Sequence, residues 1–223
     1  MLESFKRMFT SPGQGADLAE ISAWAAKRGY SYAPMEEGFA IDGSFDGKPW
    51  QLEWAPPQRP FMQGHELRMQ INAGIAHEVN MMLLSLPLMQ SLEKQAFERF
   101  TQNLQTQIDD SSPEEMRWLV MFARVDLAAL PGVAANYGAV ASSPAQGLLW
   151  IEGRLATLLQ RAVGTLMVGD PPFVMTVSRG RLSMRLQLPD VSSPFLGSAI
   201  SLFETAVAQA LRAPHLHTDP EEE

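Results

Sequence analysis

The sequence predicts an α+β fold in which an antiparallel sheet, made of an early meander and a C-terminal hairpin, packs against a set of helices. Three observations carry that expectation. Phe39, Ile41 and Phe45, then Trp50, Leu52 and Trp54, then Leu67, Met69 and Ile71 alternate with smaller or polar residues, the period of strands with one buried face. Phe173 to Val177 and Leu182 to Leu188 flank Ser178-Arg179-Gly180-Arg181 as the arms of a second hairpin. Between these regions the period lengthens to that of helices, without the repeated strand-helix units of a doubly wound parallel sheet.

Residues 1–16 read as an N-terminal arm, with Leu2, Phe5, Met8 and Phe9 near one face of a short helix that Ser11-Pro12-Gly13 breaks. Asp17 with Glu20 three residues on has the pattern of a capping box, ahead of a stripe of Leu18, Ile21, Trp24 and Ala25 that ends at Gly29. Tyr30 to Ala33 is a short strand. In the meander, Asp46-Gly47 supplies a tight hairpin turn. The longer connection from Trp54 to Gly64 carries Pro56, Pro57 and Pro60, which restrict the backbone and forbid a regular central strand.

From Ile75 to Leu86 the positions of Val79, Met82, Leu83 and Leu86 predict a helix, bent or interrupted at Pro87 and continued from Leu88 to Ile108. Ser112-Pro113 with Glu115 reads as a capping box that opens a further helix, apolar around most of its circumference, as far as Leu130 and Pro131-Gly132. The Ala- and Gly-rich stretch Val133 to Ser142 shows no assignable period. Ser143-Pro144 then leads into one long helix reaching Met167, where close packing would account for Gly147 and Gly153. A last helix begins at Ser193-Pro194 with Leu196, Ile200, Phe203, Val207 and Leu211 facing inward, and residues 213–223 form an acidic flexible tail. Residues 17–212 are expected to make a single α+β domain; the alternative places a boundary near Pro131 to Pro144.

The net charge of -8 repels phosphate backbones, and the basic groups Lys6-Arg7 and Arg179/Arg181/Arg185 are too few for a nucleic-acid footprint. There are no cysteines, so disulfides and thiolate-held metals do not arise. The first residues lack the apolar core of a signal peptide, and no apolar run reaches the roughly 20 residues of a membrane span. The expected compartment is the cytoplasm.

No cofactor motif, serine-nucleophile motif or metal pattern stands in the sequence, and neither His65 nor His77 has the second histidine of H-E-x-x-H. His65 and Glu66 are adjacent in a strand and point to opposite faces. No catalytic residue, metal ligand or cofactor is assigned on this basis. The distinctive local cluster is aromatic and charged: Trp50, Glu53, Trp54, Arg59, Phe61, His65, Glu66 and Arg68. Through the Pro-rich connection, Trp54, Arg59, Phe61, His65 and Glu66 can form a binding edge, because Trp and Arg offer large contact area and a planar charged fork.

Trp118, Phe122 and Trp150 lie on helices with more apolar surface than a small sheet obviously needs. Packing within the chain or a homodimer interface would bury it. The reading that results is a non-catalytic intracellular interaction or accessory protein acting on a protein partner. Its alternatives are a small-ligand-binding module and a hydrolase-type enzyme around His65 and Glu66.

Overall fold

The computed structural model describes residues 14–103 and 113–213. The chain forms an α+β fold: among the described residues nine strands make one antiparallel sheet, and seven helices pack on it. Helix α1 (Gln14–Lys27) precedes β1 (Ser31–Met35) and a meander of β2 (Gly38–Phe45), β3 (Lys48–Ala55) and β4 (Glu66–Asn72). Next come β5 (Met81–Ser85), α2 (Leu86–Asn103), α3 (Glu114–Met121), β6 (Ala123–Arg124) and α4 (Pro131–Ala134). The chain continues through β7 (Tyr137–Ala141), α5 (Pro144–Ile151) and α6 (Arg154–Val163) to the hairpin β8 (Phe173–Ser178) and β9 (Arg181–Gln187), and closes with α7 (Ser193–Arg212). The sheet order is β1-β2-β3-β4-β9-β8-β5-β7-β6, so the late hairpin inserts between the meander and the middle strands. Pairing Leu67 with Leu186 and Met69 with Met184 gives β4 a second neighbour and removes an open edge.

Both hairpins turn on two residues with positive φ, Asp46-Gly47 and Arg179-Gly180, the geometry that matches the twist of antiparallel strands. Alternation then decides the layers. Trp50, Leu52, Trp54, Leu67, Met69, Ile71, Leu182, Met184 and Leu186 share one core with residues of α1 and α4 to α7. On the other face α2 and α3 cover the far strands through Met82, Leu84, Val140, Val174, Leu92 and Trp118. Over β3, β4 and β9 that second face is polar.

Several sequence expectations are corrected, each for a packing reason. The predicted helix at Ile75 to Leu86 is instead an irregular approach to β5, whose residues Met81–Ser85 are all buried between two helical layers. A short apolar run buried on both faces has no alternation to distinguish it from a buried helix. Pro87 sits in the first turn of α2 and does not interrupt it. The predicted helix to Leu130 stops at Met121. Val125 turns into the core, and Pro131-Gly132 opens a new short helix in place of ending an old one.

The single helix through Met167 is two helices, because Gly153 takes φ 68 between α5 and α6. Gly147 is needed for close approach: an added Cβ would lie 2.6 Å from the Val125 side chain. Helix α1 begins at Gln14, so Asp17 lies inside it and is no cap. The rest of the predicted arm (1–13) and all but Ala213 of the predicted tail lie outside the described residues, as does Ser112 of the predicted capping box.

Among the described residues only α7 combines the length and apolar character of a membrane span. In this fold Leu196, Ile200, Phe203 and Val207 of that helix belong to the main core, while Ser198, Ser201 and Arg212 are exposed on it.

Candidate functional site

The bare half of the second sheet face is ruled by the same alternation that buries the tryptophans. Gln51 and Glu53 of β3, Glu66, Arg68 and Gln70 of β4, and Ser183 and Arg185 of β9 stand there in register, since Glu53 pairs with Arg68, and Arg68 with Arg185. Two guanidinium groups directly opposite each other are unfavourable. Glu66 resolves the conflict. Its side chain is fully buried, with Oε1 accepting from Arg185 Nη1 at 2.6 Å and Oε2 facing Arg68 Nη1 at 3.4 Å. Oε2 also accepts the Gln58 backbone N–H at 2.8 Å, and Arg68 donates to the Pro56 carbonyl at 3.0 Å, so the cluster fastens the Pro-rich connection over the sheet. Arg68 is shared with Glu53 through Nη2 at 2.6 Å.

The same connection reaches α3. Arg59 Nε donates to Glu115 Oε1 at 2.8 Å, with Glu115 only 4% exposed. Its other carboxylate oxygen is enclosed and has no hydrogen-bond partner among the described residues. A buried acceptor left unmade costs about 1–3 kcal/mol, and more when it carries charge. Among the described residues no side-chain hydrogen bond caps α3, and the Glu115 carboxylate is turned to Arg59.

Two adjoining hollows occupy this face. One, of about 170 Å³, lies over Glu53, Gln58, Arg68 and Arg185; the other, of about 180 Å³, lies between α3 and the β8–β9 hairpin, with Glu115, Trp118, Thr176 and Arg181 in its walls. They share Gln70, Ser183 and Arg185.

The residues singled out in the sequence divide between layers. Trp54 is in the main core, donates its indole N–H to the Leu188 carbonyl at 2.8 Å, and stacks on His65 with ring centroids 4.0 Å apart. Glu66 leaves the chain on the opposite side, so His65 and Glu66 do not meet as an acid-base pair. Arg59 bridges to α3, and Phe61 is half-buried against the smaller core. Trp118 and Phe122 make an edge contact at 5.2 Å beside the second hollow, whereas Trp150 is fully buried and donates to the Ala206 carbonyl at 3.0 Å. The sequence places Glu53 and Arg68 in the aromatic and charged cluster but gives Arg185 and Glu115 no part in it. The alternation placed the first three on the polar face, but no signal tied Glu115 to Arg59 across 56 residues.

A further hollow, about 700 Å³, lies on the opposite layer among α1, α6 and α7. Three of its hydroxyls are engaged locally: Ser198 donates to the Pro194 carbonyl, Thr165 to the Arg161 carbonyl and Ser193 to Glu20. The Arg28 guanidinium lies 4.6 Å over the Trp24 ring. The sheet-side cluster is the better candidate because there one fully buried carboxylate ties two strands to the Pro-rich connection.

Burial raises the carboxyl pKa of Glu204 in that hollow, partly offset by a hydrogen bond from Trp50. A raised native pKa means the native state holds this proton more tightly, so the associated stability is present below the unfolded value and is lost as pH rises through the native one. Glu204→Gln is accordingly expected to raise the unfolding midpoint by about 1–2 °C at pH 7, a small figure because the group is still partly hydrated. The gain should shrink towards zero below about pH 4. Thermal unfolding across pH checks this; a gain that grew on acidification would contradict it.

Comparison of the chain with protein-family models, with curated proteins and with solved structures returns no match.

Proposed function

We propose that this chain is a non-catalytic cytoplasmic binding protein that receives a protein partner on the bare half of its sheet. The observation that supports the reading is the unequal covering of the second face: α2 and α3 pack over β5, β7 and β8, while the polar surface of β3, β4 and β9 is left beside them. The Pro-rich connection forms one wall of this surface and α3 another.

Its charged groups are held by one another. Three arginines, Arg59, Arg68 and Arg185, are paired with three glutamates, Glu53, Glu66 and Glu115. Side chains fixed before binding lose less entropy when a partner arrives, and paired charges of both signs favour a polar, mixed-charge partner surface over an apolar one.

A photo-crosslinking amino acid placed at Gln70, an exposed position in the middle of the surface, should capture a defined partner in cells, while the same group at exposed Thr157 on the helical layer should not. Ser183→Arg, which leaves the strand backbone pairing intact, should then reduce partner recovery about tenfold with the unfolding midpoint within about 2 °C of the parent. Capture from Thr157 with none from Gln70, or unchanged recovery by Ser183→Arg, would reject the surface.

A further inference from the structure

Two hollows on the helical layer share Ser201 and Glu204 in their walls and so adjoin along α7. The larger, about 700 Å³, has the size of a small-molecule pocket, roughly 300–1,000 Å³, and is walled by Trp24, Leu158, Leu166 and Ile200. The smaller, about 270 Å³, carries Phe45 and Ala208. The Ser193, Ser198 and Thr165 hydroxyls of the larger hollow are already engaged within the chain, so a ligand with a polar body would leave its own groups unpaired there. An apolar body suits these walls.

The charges around them are of one sign. Arg28 and Arg161 line the larger hollow, Arg154 and Arg212 the smaller, and all four are exposed to an arriving ligand. Among the described residues none of the four has an ion pair or a side-chain hydrogen bond, whereas Arg59, Arg68, Arg124 and Arg185 each hold a glutamate. Glu204 is the one carboxylate in the described walls, and its Oε1 is turned to the Trp50 indole N–H at 3.3 Å. Four positive charges thus stand against one negative in a chain whose net charge is -8.

Arg28 is also placed. Its guanidinium lies 4.6 Å over the Trp24 ring, which seats a cation at the border of the apolar wall. Burial raises the Tyr30 pKa, Glu204 adds to the rise and Arg28 opposes it, so both charges act on the same wall residue of the larger hollow. A guanidinium with no acid of its own is a planar fork for a carboxylate, and neighbouring cations deepen the potential that draws an anion in.

We infer that the larger hollow binds a monocarboxylate with an apolar chain, of the fatty-acid class, the chain lying against Trp24, Leu158 and Ile200 and the carboxylate accepting from Arg28 or Arg161. Arg154 and Arg212 strengthen the field from the adjoining hollow. The site is on the opposite layer from the proposed partner surface and is independent of it: binding in purified protein would stand even if no partner were captured on the sheet.

The test is isothermal titration of the purified full chain with decanoate, with decan-1-ol, which has the same chain without the charge, and with decyltrimethylammonium, which reverses it. Decanoate is expected to bind with a Kd of about 30 µM or tighter, the alcohol about tenfold more weakly and the cation more weakly still. Arg28→Gln with Arg161→Gln alters only exposed side chains; the pair should weaken decanoate about tenfold and leave the alcohol within about twofold. Ser201→Trp, at an exposed position common to both hollows, should fill the space and abolish binding of either molecule.

Four outcomes would overturn the inference. They are no binding of decanoate up to about 1 mM, equal binding of the alcohol, a decanoate Kd unchanged by the double arginine replacement, or binding untouched by Ser201→Trp.

Discussion

Glu66→Ala is expected to lower stability by about 3 kcal/mol, which for a domain of this size moves the unfolding midpoint down by roughly 6–12 °C. The fully buried carboxylate is the common acceptor for Arg185, Arg68 and the Gln58 backbone N–H. Removing it leaves two guanidinium groups opposite each other across β4 and β9 with no anion between them. Arg68 keeps Glu53, but among the described residues Arg185 keeps only the Gln58 side chain, with contacts of 3.4–3.5 Å. The estimate stays at the low end for a broken buried pair because the arginine side chains are 12% and 20% exposed and regain some water.

Glu66→Gln keeps an acceptor for Gln58 and should lose about half as much. Replacing both Glu66 and Arg185 by leucine should recover part of the loss, since removing both partners leaves no uncompensated charge between them. Backbone amide exchange in residues 57–63 should accelerate in Glu66→Ala, because the connection is fastened through Gln58. A midpoint within about 2 °C of the parent, with exchange unchanged, would show that the cluster does not hold this face together.

The contrast between Glu66 and Glu115 also explains which parts of the site could be read in advance. Strand alternation follows from backbone geometry, so Trp54 inward and Arg68 outward follow from the same count, and the antiparallel meander and late hairpin were legible for that reason. What alternation cannot supply is pairing across the sheet. The sequence puts Glu66 on a binding edge with Arg68 two residues away on the same strand face, but its bond to Arg185 becomes visible only once β9 is known to lie beside β4. Glu115 looked like a capping residue because Ser112-Pro113 precedes it, and the Arg59 that takes its carboxylate arrives from a connection with no regular period.

The middle of the chain failed differently. Strand β5 is covered on both faces and β7 is built of small residues, so neither carries the polar alternation that identifies a strand with one wet face. The break at Gly153 was hidden because a glycine within an apolar run reads equally as a packing site or as a residue of positive φ.

Trp150→Ala should destabilise by about 4 kcal/mol, with the midpoint falling by roughly 8–16 °C, and should leave the mass measured by light scattering the same as the parent's. The indole is fully enclosed in the main core between α5 and α7, where it donates to the Ala206 carbonyl. Truncation removes a large buried surface and opens a hole that the sheet on one side and α7 on the other can close only in part. Loss of the donor adds little, because the Ala206 carbonyl lies inside a helix and accepts a backbone N–H as well. Trp150→Phe, which fills much of the space without the indole N–H, is therefore expected to recover more than half of the loss. This placement also separates two roles that the sequence left together. A tryptophan at a contact between chains would, when truncated, change the mass before it changed the stability of a single chain. One enclosed by its own chain does the reverse, so a lower mass in Trp150→Ala at unchanged midpoint would overturn the assignment of this residue to the core.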